Sequence, residues 1–476
     1  MQTEKSKIAS NALAQILGRV AVLAISLVSI KLISNYLGPA GTGNYTTIIV
    51  YFTFVIVLAD FGLFSVAVRE ISKNPENARG VLKNIFTIRF LSAIAATILA
   101  IVIVMFTGYG EEIKRGVLVA AIFPVLNLTG SVYDMLFQSK LRMINVVWAD
   151  VLSRVTSLAV VLAAVVWDLG FYPIVLSISV AAVFNFLIKM LLSRGELHFG
   201  FGFEWPKIRT ILKMAAPLGA VYVVNNIYFK ADALLLFYFK GAHDVGIYAV
   251  SYRVLETTIF AASYVGNSLK PLLSTSVTSN PERAGNAVSK ALTFLLFMSL
   301  FVAILCLSFP KEIILFLSNS DFLPGASALM ILGSVVVLVF LTNMVWEIMI
   351  AKDMRQTLII TAVLILSANV ILNLILIPRY SYVGAASANL ISEVILLITG
   401  YYIAGKVVKI KYDFVRAVKL ILLAIFSIGL AYLIKLSGIY FIINAFVVLT
   451  LFGTIAYLFD AIDKNSVREY LRSKIK

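Results

Sequence analysis

Charge and cysteine are what this chain most conspicuously lacks. Only 13% of its 476 residues are Asp, Glu, Lys or Arg, and it has one cysteine and two histidines. A single cysteine excludes a disulfide framework and a thiolate metal centre. Cys306 lies inside an apolar run, where packing is its expected role. His198 and His243 stand far apart, with no HExxH or zinc-type spacing around them. Long polar segments are missing too: the longest connection, around 195–206, is too short to hold an extramembrane catalytic domain.

What is present is apolar sequence, 61% of the chain, with a mean hydropathy of +0.97. Such a chain needs lipid as its solvent. A bilayer crossing takes about 20 mostly apolar residues, so this length accommodates about fourteen crossings with short loops. The apolar runs fall in two six-helix blocks, near 8–194 and 207–406, followed by two further helices near 413–436 and 438–460. Lys5 and Lys7 lead into a run too long for a cleaved leader, so the first helix is expected to stay attached. If the N-terminus is cytoplasmic, 27 of the 40 Lys and Arg fall on that side and 6 on the other, which predicts that both termini are cytoplasmic. The net charge of +16 is then a matter of topology and anionic lipid, and no nucleic-acid partner is expected. In the basic tail, 461–476, Val467, Tyr470, Leu471 and Ile475 share one helical face opposite Arg468, Arg472 and Lys476, the pattern of a helix lying along the inner leaflet.

The blocks are related by a repeat. Gly38, Gly43 and Tyr45 recur as Gly241, Gly246 and Tyr248, each 203 residues later and each at the outer turn after the first helix of its block. Glycine permits a tight turn there and tyrosine suits the interface. Six helices per block is an even number, so the halves are parallel repeats, as in carriers that place substrate between two bundles. The expected organisation is an N-terminal lobe at 1–195, a linker at 196–206, a C-terminal lobe at 207–406 and two extra helices within 407–460. Pro217 inside the seventh helix is a candidate hinge, or a proline simply tolerated there.

Ionisable groups in hydrocarbon are costly and are functional candidates by default. Asp150 with Arg154, and Arg253 with Glu256, have the spacing of pairs on one helix. Lys31, Lys270 and Glu347 lie near helix ends, where snorkelling or structural pairing suffices. Arg19 and Arg89 fall well inside their helices with no acidic neighbour one turn away. With Arg154 they would give the first lobe a positive cavity, and guanidinium suits phosphate. The alternative is pairing with Asp60 or Asp134 across helices. In the second lobe Asn225, Asn226, Lys230, Asp232 and Glu393 are candidates for a coupling cation or for glycan, or for hydrogen bonding between helices. Asn44-Tyr45-Thr46 fits a glycosylation acceptor, a weak pattern.

LGPAGTGNY at 37–45, ADFGLFSVAVRE at 59–70, AAPLG at 215–219, VGIY at 245–248 and IPRYSYVGAASANLISEV at 377–394 together resemble the oligosaccharide flippases of the multidrug/oligosaccharidyl-lipid/polysaccharide exporter superfamily, over essentially the whole chain. The resemblance implies an all-α membrane protein with two six-helix lobes in a V, working by alternating access. It also implies transfer of a lipid-linked oligosaccharide to the outer leaflet of the cell membrane, with no covalent chemistry. Arg19, Arg89, Arg154 and Arg253 are where it would put a cationic cavity, and Asp60 stands beside them as a coupling or glycan contact. Membrane lipids and glycan polymerase or glycosyltransferase partners are expected, with no cofactor beyond a coupling Na+ or H+. A cation-coupled drug or metabolite antiporter is the competing reading.

Overall fold

The computed structural model describes residues 2–73, 75–193 and 201–461. The amphipathic tail and the first part of the linker lie outside them. Among the described residues the structure is helical, without strands. The first helices are α1 (Gln2–Asp60), α2 (Leu63–Lys73), α3 (Ala78–Phe106), α4 (Glu111–Val119), α5 (Ile122–Ser139), α6 (Met143–Val166), α7 (Phe171–Leu192) and α8 (Trp205–Lys240). They are followed by α9 (Ala242–Ser279), α10 (Pro281–Ser308), α11 (Pro310–Leu317), α12 (Ala326–Ala351), α13 (Arg355–Gly405), α14 (Phe414–Leu436) and α15 (Phe441–Leu458).

Among the described residues, eleven helical stretches are long and apolar enough to cross a bilayer. Two of these are interrupted by one non-helical residue, Gly38 in α1 and Ser381 in α13, so each makes two crossings. With α9, which is long enough but more polar, the expected set of about fourteen crossings is complete. Two crossings that read as continuous in sequence are broken: one at Phe61–Gly62, between α1 and α2, and one at Ala120–Ala121, between α4 and α5.

By contacts the chain forms two compact units. The first takes residues 1–249 with 317–319, and the second takes 250–316 with 320–476. The helix α8 therefore belongs to the first unit, because it packs along α1 and α2. Within that unit one core gathers α2, α3 and α5 around Leu82, Ile85, Tyr133 and Phe137, all nearly inaccessible. In the second unit Phe309, Phe452 and Val448 tie α14 and α15 to α10.

The repeat is visible in the backbone. Gly38 (φ 64°, ψ −175°) and Gly241 (φ 81°, ψ −176°) share one conformation, left-handed in φ and extended in ψ, that an L side chain resists. The turns they create meet each other. A Cβ on Gly43 would overlap the carbonyl oxygen of Ala242, and one on Gly246 would overlap that of Pro39. Residues 39 and 43 correspond to 242 and 246 under the same offset of 203, so the crossing is reciprocal. Tyr248 is 2% exposed and donates to Asp232 Oδ2 at 2.6 Å, and Tyr45, part-buried, packs against the α1–α4 core.

Candidate functional site

The polar centre of the first unit is built on the break after α1. Phe61 adopts φ 39° and Gly62 φ 77°, so the chain turns and restarts as α2. Phe61 carries a Cβ in a region that costs such residues about 1–3 kcal/mol. The turn is held because α8 comes against it: a Cβ on Gly62 would lie 2.6 Å from the Gly219 nitrogen. Asp60, the last residue of α1, accepts the backbone N–H groups of Gly62 and Phe64, so its carboxylate caps the first turn of α2. A negative group is favoured at that end by the helix dipole.

Across from it, α3 contributes Arg89, 1% exposed and the largest fully buried side chain of the described set. Its guanidinium is ion-paired with Asp60 and donates to Ser131 and, at 3.2 Å, to the Leu128 carbonyl. The cross-helix alternative for Arg89 is the one adopted. Asp60, Arg89, Ser65, Asn127, Ser131 and Tyr222 line a cavity of about 280 Å³. Asn127 is exposed, and Tyr222 from α8 is 41% exposed. Charge, amide, hydroxyl and an aromatic face are thus gathered in one cleft.

A second buried cluster adjoins the first. Lys189 on α7 lies near the end of an apolar run. It is 5% exposed, with its Nζ 2.8 Å from Asp134 on α5 and 3.9 Å from Asp150 on α6. Asn185, one turn before it, donates to Asp150 at 3.0 Å and to Ser153 at 3.3 Å. Asp150 is therefore engaged by α7, where the spacing suggested Arg154, and Arg154 is exposed. Asp134 also feels the field of Arg89. Asp60, Arg89, Asp134, Lys189 and Asp150 form a succession of alternating sign with three carboxylates and two cations.

The other sequence candidates are placed as follows. Arg19 is part-buried on α1. Arg253 and Glu256 are paired at 3.0 Å, as their spacing suggested. Asn225 is exposed on α8, Asn226 donates to the Tyr222 carbonyl at 2.8 Å, and Lys230 is part-buried. Asp232 is held by Tyr248 and by the Ala233 N–H. In the second unit Glu393 accepts from Thr342 at 2.9 Å, beside a buried ladder in which Asn369 donates to Asn389 and Ser392 and receives from Asn373. Lys270 does not merely reach for the surface: it lies 3.5 Å from Glu347. Pro217 lies within the continuous helix α8. Asn44 donates to Glu112 at 2.6 Å. Among the described residues no group of three or more His, Cys, Asp and Glu is arranged to hold a metal ion.

Sequence reasoning missed Asn127, Ser131, Tyr222, Asn185 and Lys189. Nothing local distinguishes them: each acquires its role from a partner on another helix.

Known proteins share this architecture. A lipid II flippase, MurJ, in an inward closed conformation superposes with a TM-score of 0.74 at 14% identity, over 94% of this chain and 99% of that one. An inward-facing multidrug resistance MATE family transporter of the MOP superfamily gives 0.65 at 13% identity, over 82% and 98%. These likenesses establish the fold. An uncharacterised membrane protein of Methanocaldococcus jannaschii is 23% identical over 426 residues, 83% of this chain and 84% of its own length. The MatE family model matches residues 217–378. The model described as polysaccharide biosynthesis protein matches residues 8–277, more than half of the chain. The chain is a multi-span integral membrane protein and belongs to the polysaccharide biosynthesis protein family.

Proposed function

We propose that the protein carries a lipid-linked oligosaccharide, joined through phosphate or pyrophosphate, from the cytoplasmic to the outer leaflet by alternating access. Both termini are cytoplasmic in this reading. The observation that carries it is the cleft of the first unit, where Arg89 and Asp60 adjoin Asn127, Ser131 and Tyr222. Sugar hydroxyls are served by amides, hydroxyls and an aromatic face, and a phosphate ester is served by a guanidinium. Arg89 is already bonded to Asp60, so a phosphate engages it by exchanging with that carboxylate. Arg19 and Arg154 are assigned supporting positive charge. The odd carboxylate in the Asp60–Asp150 succession gives a coupling proton or sodium ion a place to act, and glycan-assembling enzymes are the expected partners.

The antiporter reading draws on the MatE match and the MATE-type neighbours. Proteoliposomes carrying a fluorescent lipid-pyrophosphate oligosaccharide separate the two. The native chain is expected to move the headgroup, and Tyr222→Ala to slow it at matched insertion. Export of a cationic drug down an imposed gradient, with no headgroup movement, would replace the flippase reading with the antiporter one.

A further inference from the structure

We propose that the region where the inter-block linker meets α3 and α8 is a docking surface for the headgroups of anionic phospholipids. Phe201, Phe203 and Trp205 are 67%, 65% and 57% exposed, and the rings of Phe203 and Trp205 stack at 6.2 Å with planes 19° apart. Three exposed aromatic side chains within five residues are unfavourable in water. They are at home in the headgroup layer, where an aromatic body meets both acyl chain and polar group.

Cations surround them. Lys83 is exposed on α3, and its Cβ lies 3.0 Å from where a Cβ on Gly202 would stand, which places it directly beside the linker. Lys207 and Arg209 are exposed on the first two turns of α8. The acidic neighbours are Glu204, 2.7 Å from Lys207, and exposed Glu76; the balance stays positive, because Arg79 and Lys213 extend the same surface by one helical turn on each side. Cations interleaved with exposed aromatics at the end of bilayer-crossing helices fit the phosphate and glycerol boundary of an anionic leaflet.

The surface is rigidly joined to the helix of Arg89. The Gly202 N–H donates to Thr87 Oγ1 at 3.0 Å, and the Glu204 N–H donates to Asn84 Oδ1 at 2.8 Å. Asn84 is 1% exposed, and Phe201 packs on Phe86 and Phe90 at 6.1 and 5.6 Å between ring centres. A lipid seated on Phe203, Trp205, Lys83, Lys207 and Arg209 therefore presses the linker onto α3 and favours this docked arrangement.

The test is lipid retention by the full chain in nonionic detergent, titrated with phosphatidylglycerol or phosphatidylcholine and read by native mass spectrometry. The native chain is expected to prefer phosphatidylglycerol by at least about tenfold, since each cation near an anionic headgroup layer contributes about fivefold. The Lys83→Gln/Lys207→Gln/Arg209→Gln variant should lose that preference. A variant with Lys406, Lys409 and Lys411 changed to Gln, which removes equal charge elsewhere, should keep it, and millimolar inorganic phosphate should not displace the lipid. Equal loss in both triple variants, or displacement by phosphate, would overturn the proposal. Brominated phosphatidylglycerol gives a second reading on the folded native chain: it should quench a fluorescence component that Trp205→Phe abolishes. Quenching unchanged by that substitution would also overturn it.

Discussion

If the Asp60–Arg89 pair is a closed internal unit, removing one partner should harm the fold more than removing both. Arg89 is 1% exposed and the Asp60 side chain 10%. Arg89→Leu leaves a buried carboxylate with only its two backbone donors from Gly62 and Phe64. Breaking one side of a buried pair costs about 3–5 kcal/mol. Those two donors put this case near the lower end, at about 3 kcal/mol. Asp60→Asn leaves a buried guanidinium bonded to Leu128 and Ser131, at a similar cost. The double variant keeps an amide that can still accept the α2 N–H groups and has no buried charge, so it should cost about 1–2 kcal/mol. The coupling in the double-mutant cycle is then at least about 3 kcal/mol. Reversible unfolding in mixed micelles by SDS titration measures all three variants. Costs that simply add, to within about 0.5 kcal/mol, would refute the pairing argument. The double variant also supplies a stable protein in which translocation can be measured without the guanidinium.

At the repeat crossing, Gly246→Val and Gly43→Val each drive a side chain into a backbone carbonyl; a loss of about 1–3 kcal/mol in the same titration is expected, against no more than a small change for Gly429→Ala, which has open space around it. Lys189→Met strands Asp134 and should destabilise by about 3–5 kcal/mol, with Asp134→Asn recovering part of it; equal stability of Lys189→Met and the native chain would contradict the burial of that ammonium. At the linker, Lys207 and then Asn84 hold the Glu204 carboxyl below its ordinary value of 4.5. A depressed carboxyl contributes at pH above its ordinary value and loses the contribution as pH falls through its lower folded value. Limited proteolysis at the linker should accordingly speed up below pH 4.5 in the native chain and show a flatter pH profile in Glu204→Gln.

The membrane crossings were legible because a run of apolar residues needs no partner to declare itself. The turn glycines were legible for the same reason: Gly38 and Gly241 announce a backbone state by their own chemistry. The break at Phe61 was not, because the element that stabilises it, Gly219 on α8, is more than 150 residues away in sequence. Charge pairing divided along the same line. Arg253 and Glu256 lie on one helix and could be read from spacing, whereas Asp150 turns from Arg154 to Asn185 and Lys189 because α6 lies against α7, a neighbour relation that local sequence does not encode. The burial of Lys189 is not legible in the sequence, because its position near the end of an apolar run is the same whether the side chain reaches outward or inward.

Position 43 meets 242 and position 246 meets 39, the exchange expected of a two-fold contact between identical subunits, in which residue i touches j and j touches i. A free-standing six-helix block would carry that self-complementary surface on its own outer turn. The chain thus holds, as an internal contact, the kind of self-complementary pairing that two-fold dimers use between subunits, and each block's glycine is constrained by the other block's backbone.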